Sequence, residues 1–238
     1  MTSELQHVIH SIENSNLRHT PYEHCLIENI FSEDFYEQII NNLPDDDRYM
    51  MTTYGFHKLD KEAQKTAKAY RYKFSLKKPE STQIRKVDNP DGHPLRELSK
   101  ILISKEVYNA FSNLFSNLSK SDDMGVNAYL FRDKAGYNIP PHPDSSYKEM
   151  TWITYLARDD LHKEVGTVIN ARYDPKVWEG DQEQFIRYEQ LEYKRNSGFA
   201  FPITKESFHS VDTITLKNFS RNVIANFYAT DSFTAPLI

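Results

Sequence analysis

The sequence predicts a single α+β domain, mainly β, in which helices come first and an antiparallel sheet follows. After residue 124, short runs rich in β-branched and aromatic residues are separated by polar or Gly/Pro breaks, as the strands of such a sheet are. The chain has 15 tyrosines and 14 phenylalanines but seven glycines, a composition typical of strands with large packed side chains. At 238 residues it is long enough for one full-sized domain.

Within the single domain of residues 1–238, we expect a helical and strand-containing part, 1–123, to pack on a β core, 124–238. Ser32 precedes an acidic, apolar-periodic segment, so a capped helix should begin at Glu33. Apolar residues at three- and four-residue intervals over 94–120 predict an amphipathic helix or a helix pair.

Six strands are predicted in the β core. They lie at 125–133, 150–158, 166–173, 197–203, 207–216 and 222–230. One further segment, 59–69, is helix-prone without an apolar face. We expect it to be a surface helix, with a mobile lid as the alternative.

Composition excludes several classes of function. The formal charge of −5 leaves no general basic field for phosphate backbones, so we expect no nucleic-acid partner. The single cysteine, Cys25, excludes a disulfide framework and cysteine-rich metal sites, and it favours a reducing, cytoplasmic setting. The N-terminus has no apolar signal region, and no run approaches the roughly 20 apolar residues that span a bilayer. We therefore expect no membrane partner.

A candidate metal site begins at His142 and Asp144. Side chains two apart in an extended segment point to the same face, so an imidazole and a carboxylate can approach one ion together. Pro143 between them favours an extended His142 and disfavours a central strand position. The pair is therefore predicted at the edge of a sheet.

His209, in a later predicted strand, is the candidate third ligand. Two imidazoles and one carboxylate on one face of a metal are the set that non-haem Fe(II) uses, with three positions left open. Arg221 follows His209 by 12 residues and opens the next strand, where it could lie beside the third ligand in an antiparallel pair. Its planar guanidinium could bind a carboxylate through two hydrogen bonds.

This pattern of His-x-Asp, a distant His and a basic anchor resembles the Fe(II)/2-oxoglutarate-dependent dioxygenases. The resemblance covers about residues 124–232 and, more loosely, residues 21–44, which are similar to the opening of prolyl-hydroxylase-like members. It implies a double-stranded β-helix, or jelly roll, with flanking helices. It also implies Fe(II) bound by His142, Asp144 and His209, 2-oxoglutarate as cosubstrate held by Arg221, and O2.

The resemblance extends to further residues. Asn127 and Tyr129 resemble an Asn-x-Tyr that contacts 2-oxoglutarate in some members. Asp144 fills the position that related halogenases leave to chloride, which implies hydroxylation of an unactivated C–H bond. The layout also resembles that of small amino-acid hydroxylases and halogenases, so a free amino acid or small metabolite is the expected substrate, with Arg71 to pair its carboxylate.

Alternatives remain open for the function. The chain could be a peptide-directed hydroxylase, which would need an open groove, or a non-catalytic jelly-roll module with a vestigial metal site. A metal-binding cupin is a further rival, but cupins usually have His-x-His where this chain has His142 and Asp144.

Alternatives also remain for single residues. His209 could be a core histidine bonded to the backbone, and Arg221 could form a salt bridge to an acid such as Asp212. His24 beside Cys25 could suggest a nucleophile pair or a second metal site, but the two lie in the N-terminal entry strand without a partnering acid, so Cys25 is expected to be a core residue.

Overall fold

The four α-helices among the described residues all lie in the first half of the chain. The computed structural model describes residues 2–52, 70–76, 93–118, 123–172, 185–230 and 235–237. The helices are α1 (Ser3–Glu13), α2 (Glu33–Asn41), α3 (Pro94–Leu102) and α4 (Lys105–Leu114). None of the described helices is long and apolar enough to cross a membrane.

Thirteen described strands make up the rest of the architecture. Those before residue 124 are β1 (Asn16–Arg18), β2 (His24–Glu28), β3 (Met50–Met51) and β4 (Arg71–Ser75). Those of the next part are β5 (Gly125–Lys134), β6 (Ile139–His142), β7 (Lys148–Tyr155), β8 (Val168–Arg172) and β9 (Phe185–Gln190). The last are β10 (Ser197–Pro202), β11 (His209–Val211), β12 (Ser220–Ala229) and β13 (Ala235–Pro236).

The strands form two antiparallel sheets. The larger has the order β1-β2-β10-β7-β12-β5-β4-β3, with β13 also paired to β5, and the smaller has the order β6-β11-β8-β9. Two facing antiparallel sheets with non-consecutive neighbours are a jelly roll, so the predicted fold class is confirmed. Strands from before residue 124 extend the larger sheet on both edges.

Local sequence explains the helices that flank the larger sheet. The Ser32 hydroxyl accepts a hydrogen bond from the Phe35 amide and caps α2, as predicted. The predicted helix pair is α3 and α4, and Ser104 separates them because its hydroxyl caps the Val107 amide at the start of α4. Each helix turns its apolar stripe toward the sheet.

The two faces of the larger sheet bury different cores. On β12, Ile224 and Tyr228 pack with the helices, whereas Val223 and Ala225 point between the two sheets. Ile169 of the smaller sheet joins this second cluster. The alternation places odd-numbered residues of β12 inside the barrel, where a site can be shielded from water.

Sequence patterns located most of the strands, although some are shorter than predicted. The run 207–216 contains a strand at His209–Val211 only. Helix α1 and strands β1, β3, β4, β9 and β13 were not predicted. The predicted surface helix at 59–69 lies outside the described residues.

Candidate metal centre

Two histidines and one aspartate converge where β6 ends and β11 begins. His142 is the last residue of β6, His209 is the first of β11, and the two are opposite each other in antiparallel register. Their ring centroids are 4.5 Å apart. Asp144 follows β6 directly, and one ligand atom from each of the three residues lies within 4.8 Å of the other two. The structure thus brings together the three predicted ligands in a group that could hold one metal ion.

Backbone carbonyls orient both imidazoles. His142 Nδ1 is 2.9 Å from the Pro140 carbonyl oxygen, and His209 Nδ1 is 3.3 Å from that of Ser207. Because a carbonyl oxygen only accepts, Nδ1 of each ring must carry the proton and donate it. With the proton on Nδ1, the lone pair of Nε2 can face a metal, and the second nitrogen is anchored as in metal-bound histidines.

The Asp144 carboxylate is held from two sides. Lys148 Nζ donates to its Oδ1 at 2.8 Å, and the Thr151 hydroxyl donates to its Oδ2 at 2.6 Å. Burial by itself raises the pKa of Asp144, but His209, Lys148 and Thr151 together outweigh burial and lower the pKa to about 2. Asp144 is therefore ionised at neutral pH, as a metal ligand must be.

His209 lies against the aromatic interior of the barrel. Its ring centroid is 5.0 Å from that of Phe201 on β10, and the side chain is buried. Burial lowers the pKa of His209 to about 4, and His142 adds to this effect while Asp144 opposes it. The ring is therefore neutral at pH 7 and competent to bind a metal.

Arg221 is a buried cation inside the same barrel. It lies on β12, and its side chain is on the same face of the strand as that of Phe227. Phe227 is the register partner of Thr151, the residue that holds Asp144. Its Nη1 donates to Asp133 Oδ2 at 2.7 Å and its Nη2 to the Thr167 hydroxyl at 3.2 Å. The arginine is 1% exposed, and its Nε has no hydrogen-bond partner among the described residues. The alternative expected for Arg221, a salt bridge to an acid, is observed, but the acid is Asp133 rather than Asp212. The predicted antiparallel pairing of its strand with the strand of His209 is wrong, because β12 belongs to the larger sheet and β11 to the smaller.

Tyr155 adds a polar group beside Arg221. The arginine Cζ lies 5.6 Å from the centroid of the Tyr155 ring, and the Tyr155 hydroxyl accepts a hydrogen bond from the Thr167 amide at 3.1 Å. Burial raises the pKa of Tyr155, and the Arg221 guanidinium opposes that rise. The tyrosine therefore stays protonated next to the cation.

Arg71 lies in β4, in the same row of the larger sheet as Arg221. Its Nε and Nη2 donate to the two oxygens of Asp133 at 2.6 and 2.9 Å. The guanidinium also stacks over the rings of Phe131 and Tyr137, at 4.5 and 4.2 Å from their centroids. The substrate role of Arg71 stays a prediction. In this structure its guanidinium contacts Asp133, Phe131 and Tyr137.

Asn127 and Tyr129 lie on the inner face of β5, in line with Asp133. Asn127 is opposite Phe227, and Tyr129 is opposite Ala225 on β12. Both predicted cosubstrate residues are only partly buried, and Lys73 Nζ lies 5.5 Å from the Tyr129 ring centroid. Their contact with 2-oxoglutarate stays a prediction.

His24 and Cys25 form no second site. Successive residues of β2 point to opposite faces, and the His24 Nδ1 is 2.8 Å from the Tyr22 carbonyl oxygen. Burial raises the pKa of the Cys25 thiol to about 12, so no thiolate is present at neutral pH. Cys25 is a core residue, as expected.

Comparison with known proteins gives fold relatives but no sequence relatives. No protein-family sequence model and no curated protein matches the chain. A prolyl hydroxylase from Trichoplax adhaerens, solved in complex with a hypoxia inducible factor peptide fragment, superposes with a TM-score of 0.58 over 95% of this chain and 90% of that one, at 10% identity. The chain has the prolyl-hydroxylase fold.

Two further solved structures are less similar. A 2OG-Fe(II) oxygenase family oxidoreductase from Burkholderia pseudomallei has a TM-score of 0.48 and 11% identity, over 90% of this chain and 88% of that one. A prolyl-4-hydroxylase from Pseudomonas putida has a TM-score of 0.46 and 11% identity, over 94% and 98%.

Within this prolyl-hydroxylase fold, four residues at the site were not predicted from the sequence. Lys148 and Thr151 hold Asp144, whereas Asp133 and Tyr155 lie against Arg221. Thr151 and Tyr155 both lie on the inner face of β7, the strand that follows the His-x-Asp pair. Their even spacing along a strand beside the predicted ligands is a signal that could have located them. Asp133 becomes recognisable only when the strand register is known.

Proposed function

We propose that this chain is a non-haem Fe(II)- and 2-oxoglutarate-dependent oxygenase that hydroxylates an unactivated C–H bond. The observation that carries the proposal is the convergence of His142, Asp144 and His209, with the Nε2 lone pairs of both histidines able to face a metal and the carboxylate ionised. Two imidazoles and a carboxylate leave open coordination positions and suit Fe(II).

The donor set and the barrel interior fit both groups that the fold implies. The two imidazoles and Asp144 would hold the iron, and Arg221 would hold the distal carboxylate of 2-oxoglutarate. Arg221 supports this role because it is a buried cation whose Nε has no partner among the described residues. When bound, iron and 2-oxoglutarate supply O2 activation coupled to oxidative decarboxylation, which yields succinate and CO2.

The protein's own contribution is placement and exclusion of water. Thr151 and Lys148 fix the orientation of Asp144 through its two oxygens. The Phe201 ring stacks on the Phe199 ring with an interplanar angle of 13°. Phe201 also packs against His209 and shields it from solvent. A dry, rigid surrounding protects a reactive centre from side reactions.

For the substrate we propose a free amino acid or another small metabolite, with peptide-directed hydroxylation as the alternative. The rings of Tyr129 and Phe227 are partly exposed on the inner face of the larger sheet, and the Lys148 ammonium, which is bonded to Asp144, lies 3.6 Å from the Phe227 ring centroid. An aromatic floor with a nearby cation suits a small carboxylate-bearing molecule. The peptide alternative draws on the Trichoplax relative, which was solved with a peptide.

The proposal is tested by substrate-dependent succinate formation. The purified protein with Fe(II), 2-oxoglutarate and O2 is screened against the free amino acids and, in parallel, against proline-containing peptides. Succinate and a product heavier by one oxygen atom are expected with a member of the first set, and Asp144→Ala should abolish both. Turnover with peptides alone would select the alternative substrate class. Metal binding with no 2-oxoglutarate consumption in either set would instead favour a non-catalytic jelly-roll module.

A further inference from the structure

Three charged side chains lie side by side across three neighbouring strands. Arg71 of β4 and Arg221 of β12 are both opposite Asp133 of β5 in register. All three belong to the inner face of the larger sheet, and Asp133 is fully buried. The row is therefore an Arg–Asp–Arg cluster inside the barrel, in which Asp133 and Arg221 are buried and the Arg71 side chain is 24% exposed.

The cluster carries one uncompensated positive charge. Two guanidiniums share a single carboxylate, and the Arg221 and Asp133 side chains are 2% and 0% exposed. Burial lowers the pKa of Arg71, but Asp133 raises it by more, so Arg71 remains a cation. A buried charge is costly unless it is paired, so an anion bound beside the buried Arg221 would offset that cost.

The two arginines donate unequal numbers of hydrogen bonds to the Asp133 carboxylate. Arg71 uses both carboxylate oxygens in a two-bond fork, whereas Arg221 donates through Nη1 alone to the shared Oδ2. Arg221 donates its other observed bond to a neutral hydroxyl, that of Thr167. Arg221 is thus the arginine left short of negative charge.

We propose that Arg71 is a positioning residue for the cosubstrate. By occupying both oxygens of Asp133, Arg71 prevents that carboxylate from forming a two-bond fork with Arg221 and keeps Arg221 available for the distal carboxylate of 2-oxoglutarate. Arg71 acts through Asp133 and does not touch the cosubstrate. This inference rests on the proposed function, since it takes Arg221 as the cosubstrate anchor.

The proposal makes cosubstrate affinity depend on the net charge of the cluster. Arg71→Met reduces that charge from +1 to 0 and frees Asp133 Oδ1 for Arg221. The double variant Arg71→Met/Asp133→Asn restores the charge to +1 with neither partner present. Arg18→Met is the matched control, because Arg18 pairs with Glu189 at 2.6 Å on the opposite edge of the sheet.

The test is calorimetric titration of the Mn(II)-loaded proteins with 2-oxoglutarate and with 2-oxobutyrate, which lacks the distal carboxylate. Arg71→Met should weaken 2-oxoglutarate binding by about tenfold or more, the change expected when a carboxylate loses one favourable charge interaction. Its affinity for 2-oxobutyrate should stay within about twofold, and so should both affinities of Arg18→Met, because neither change touches the chelating end. The double variant should recover most of the 2-oxoglutarate affinity.

Each other result contradicts a definite part of the proposal. Unchanged 2-oxoglutarate binding in Arg71→Met, or an equal loss for both oxo acids, would overturn the role of Arg71. If Arg71→Met does not fold, the double variant alone tests the proposal. Weak 2-oxoglutarate binding by this variant, in which the charge of the cluster is restored to +1, would overturn the role of Arg71. Failure of the parent Mn(II) protein to bind 2-oxoglutarate would contradict the proposed function itself.

Discussion

Each oxygen of Asp144 has its own donor, and the two donors differ in kind. Thr151 is a neutral, rigid hydroxyl on the inner face of β7, whereas Lys148 brings a flexible ammonium. Bound metal needs at least one of the oxygens. Groups that hold a ligand from behind typically set its orientation and basicity, so both residues should affect metal affinity without binding the metal themselves.

Thr151→Val removes the hydroxyl while it keeps the shape of the side chain. We expect the affinity for Fe(II), or for Mn(II) as a probe, to fall roughly ten- to a hundredfold, because Asp144 Oδ2 loses its fixed donor. Titration of the metal against the apo protein measures the effect.

Thr154→Val on the same strand is the control for this substitution. The Thr154 hydroxyl is buried without a hydrogen-bond partner among the described residues, and it points to the opposite face of the sheet. Its replacement by a methyl group should leave metal affinity unchanged and stability equal or higher. Equal metal affinities in the two variants would rule out the positioning role of Thr151.

Single residues could be predicted from the sequence where the chemistry is local. His142 and Asp144 are recognisable because two residues of extended chain place them on one face, and His209 because it opens a strand. Asp133 could not be recognised, since its partners Arg71 and Arg221 are 62 and 88 residues away and meet it only through strand register. The salt bridge considered as the alternative for Arg221 therefore forms with Asp133 rather than with Asp212.

At the scale of elements, strand β10 connects the sheet to the metal centre. It pairs with β7 over its whole length and carries Phe201 toward His209. Gly198 sits in this pairing, and a Cβ at that position would lie 2.1 Å from the Ile153 carbonyl oxygen. The two strands therefore approach each other at a distance that only glycine allows.

Gly198→Ala should destabilise the protein by about 1–3 kcal/mol, the usual cost of overpacking in a fixed backbone. Urea unfolding measures the difference. Ser197→Ala, which adds no atom to the strand, is the control and should lose about 1 kcal/mol with the bond from its hydroxyl to the Lys194 carbonyl. Unchanged stability of Gly198→Ala would mean that β10 and β7 are not as close as observed.

Elements with a strong apolar period could be predicted, and elements without one could not. The helix pair α3 and α4 buries an apolar stripe, so its pattern was visible. Helix α1 has the same kind of period, with Leu5, Val8, Ile9 and Ile12 packed on the core, so its pattern was also visible in the sequence although it was not used. Strand β4 fully buries only Phe74, and its place comes from tertiary packing that local sequence does not express.

On the scale of the whole molecule, the metal site joins the two sheets. His142 and His209 belong to the smaller sheet, while Thr151, which holds Asp144, belongs to the larger one. A metal bound only by the folded protein stabilises it through mass action. The site should therefore couple metal binding to global stability.

Added Mn(II) should raise the midpoint of thermal unfolding by several degrees. A free metal concentration of about 100 times Kd contributes roughly 2.7 kcal/mol, and a chelator should reverse the shift. His209→Ala should show no shift, whereas His162→Ala, a histidine packed on Phe219 away from the ligands, should respond like the parent protein. An equal shift in His209→Ala would place the metal elsewhere.

The central claim, one iron held by His142, Asp144 and His209 with 2-oxoglutarate beside it, is tested most directly by absorption spectroscopy. The apo protein receives Fe(II) and then 2-oxoglutarate without oxygen. A weak visible charge-transfer band is expected in the parent protein after the second addition and should be absent in His209→Ala. No band in a parent protein that has bound Fe(II), or the same band in both proteins, would contradict the proposed centre.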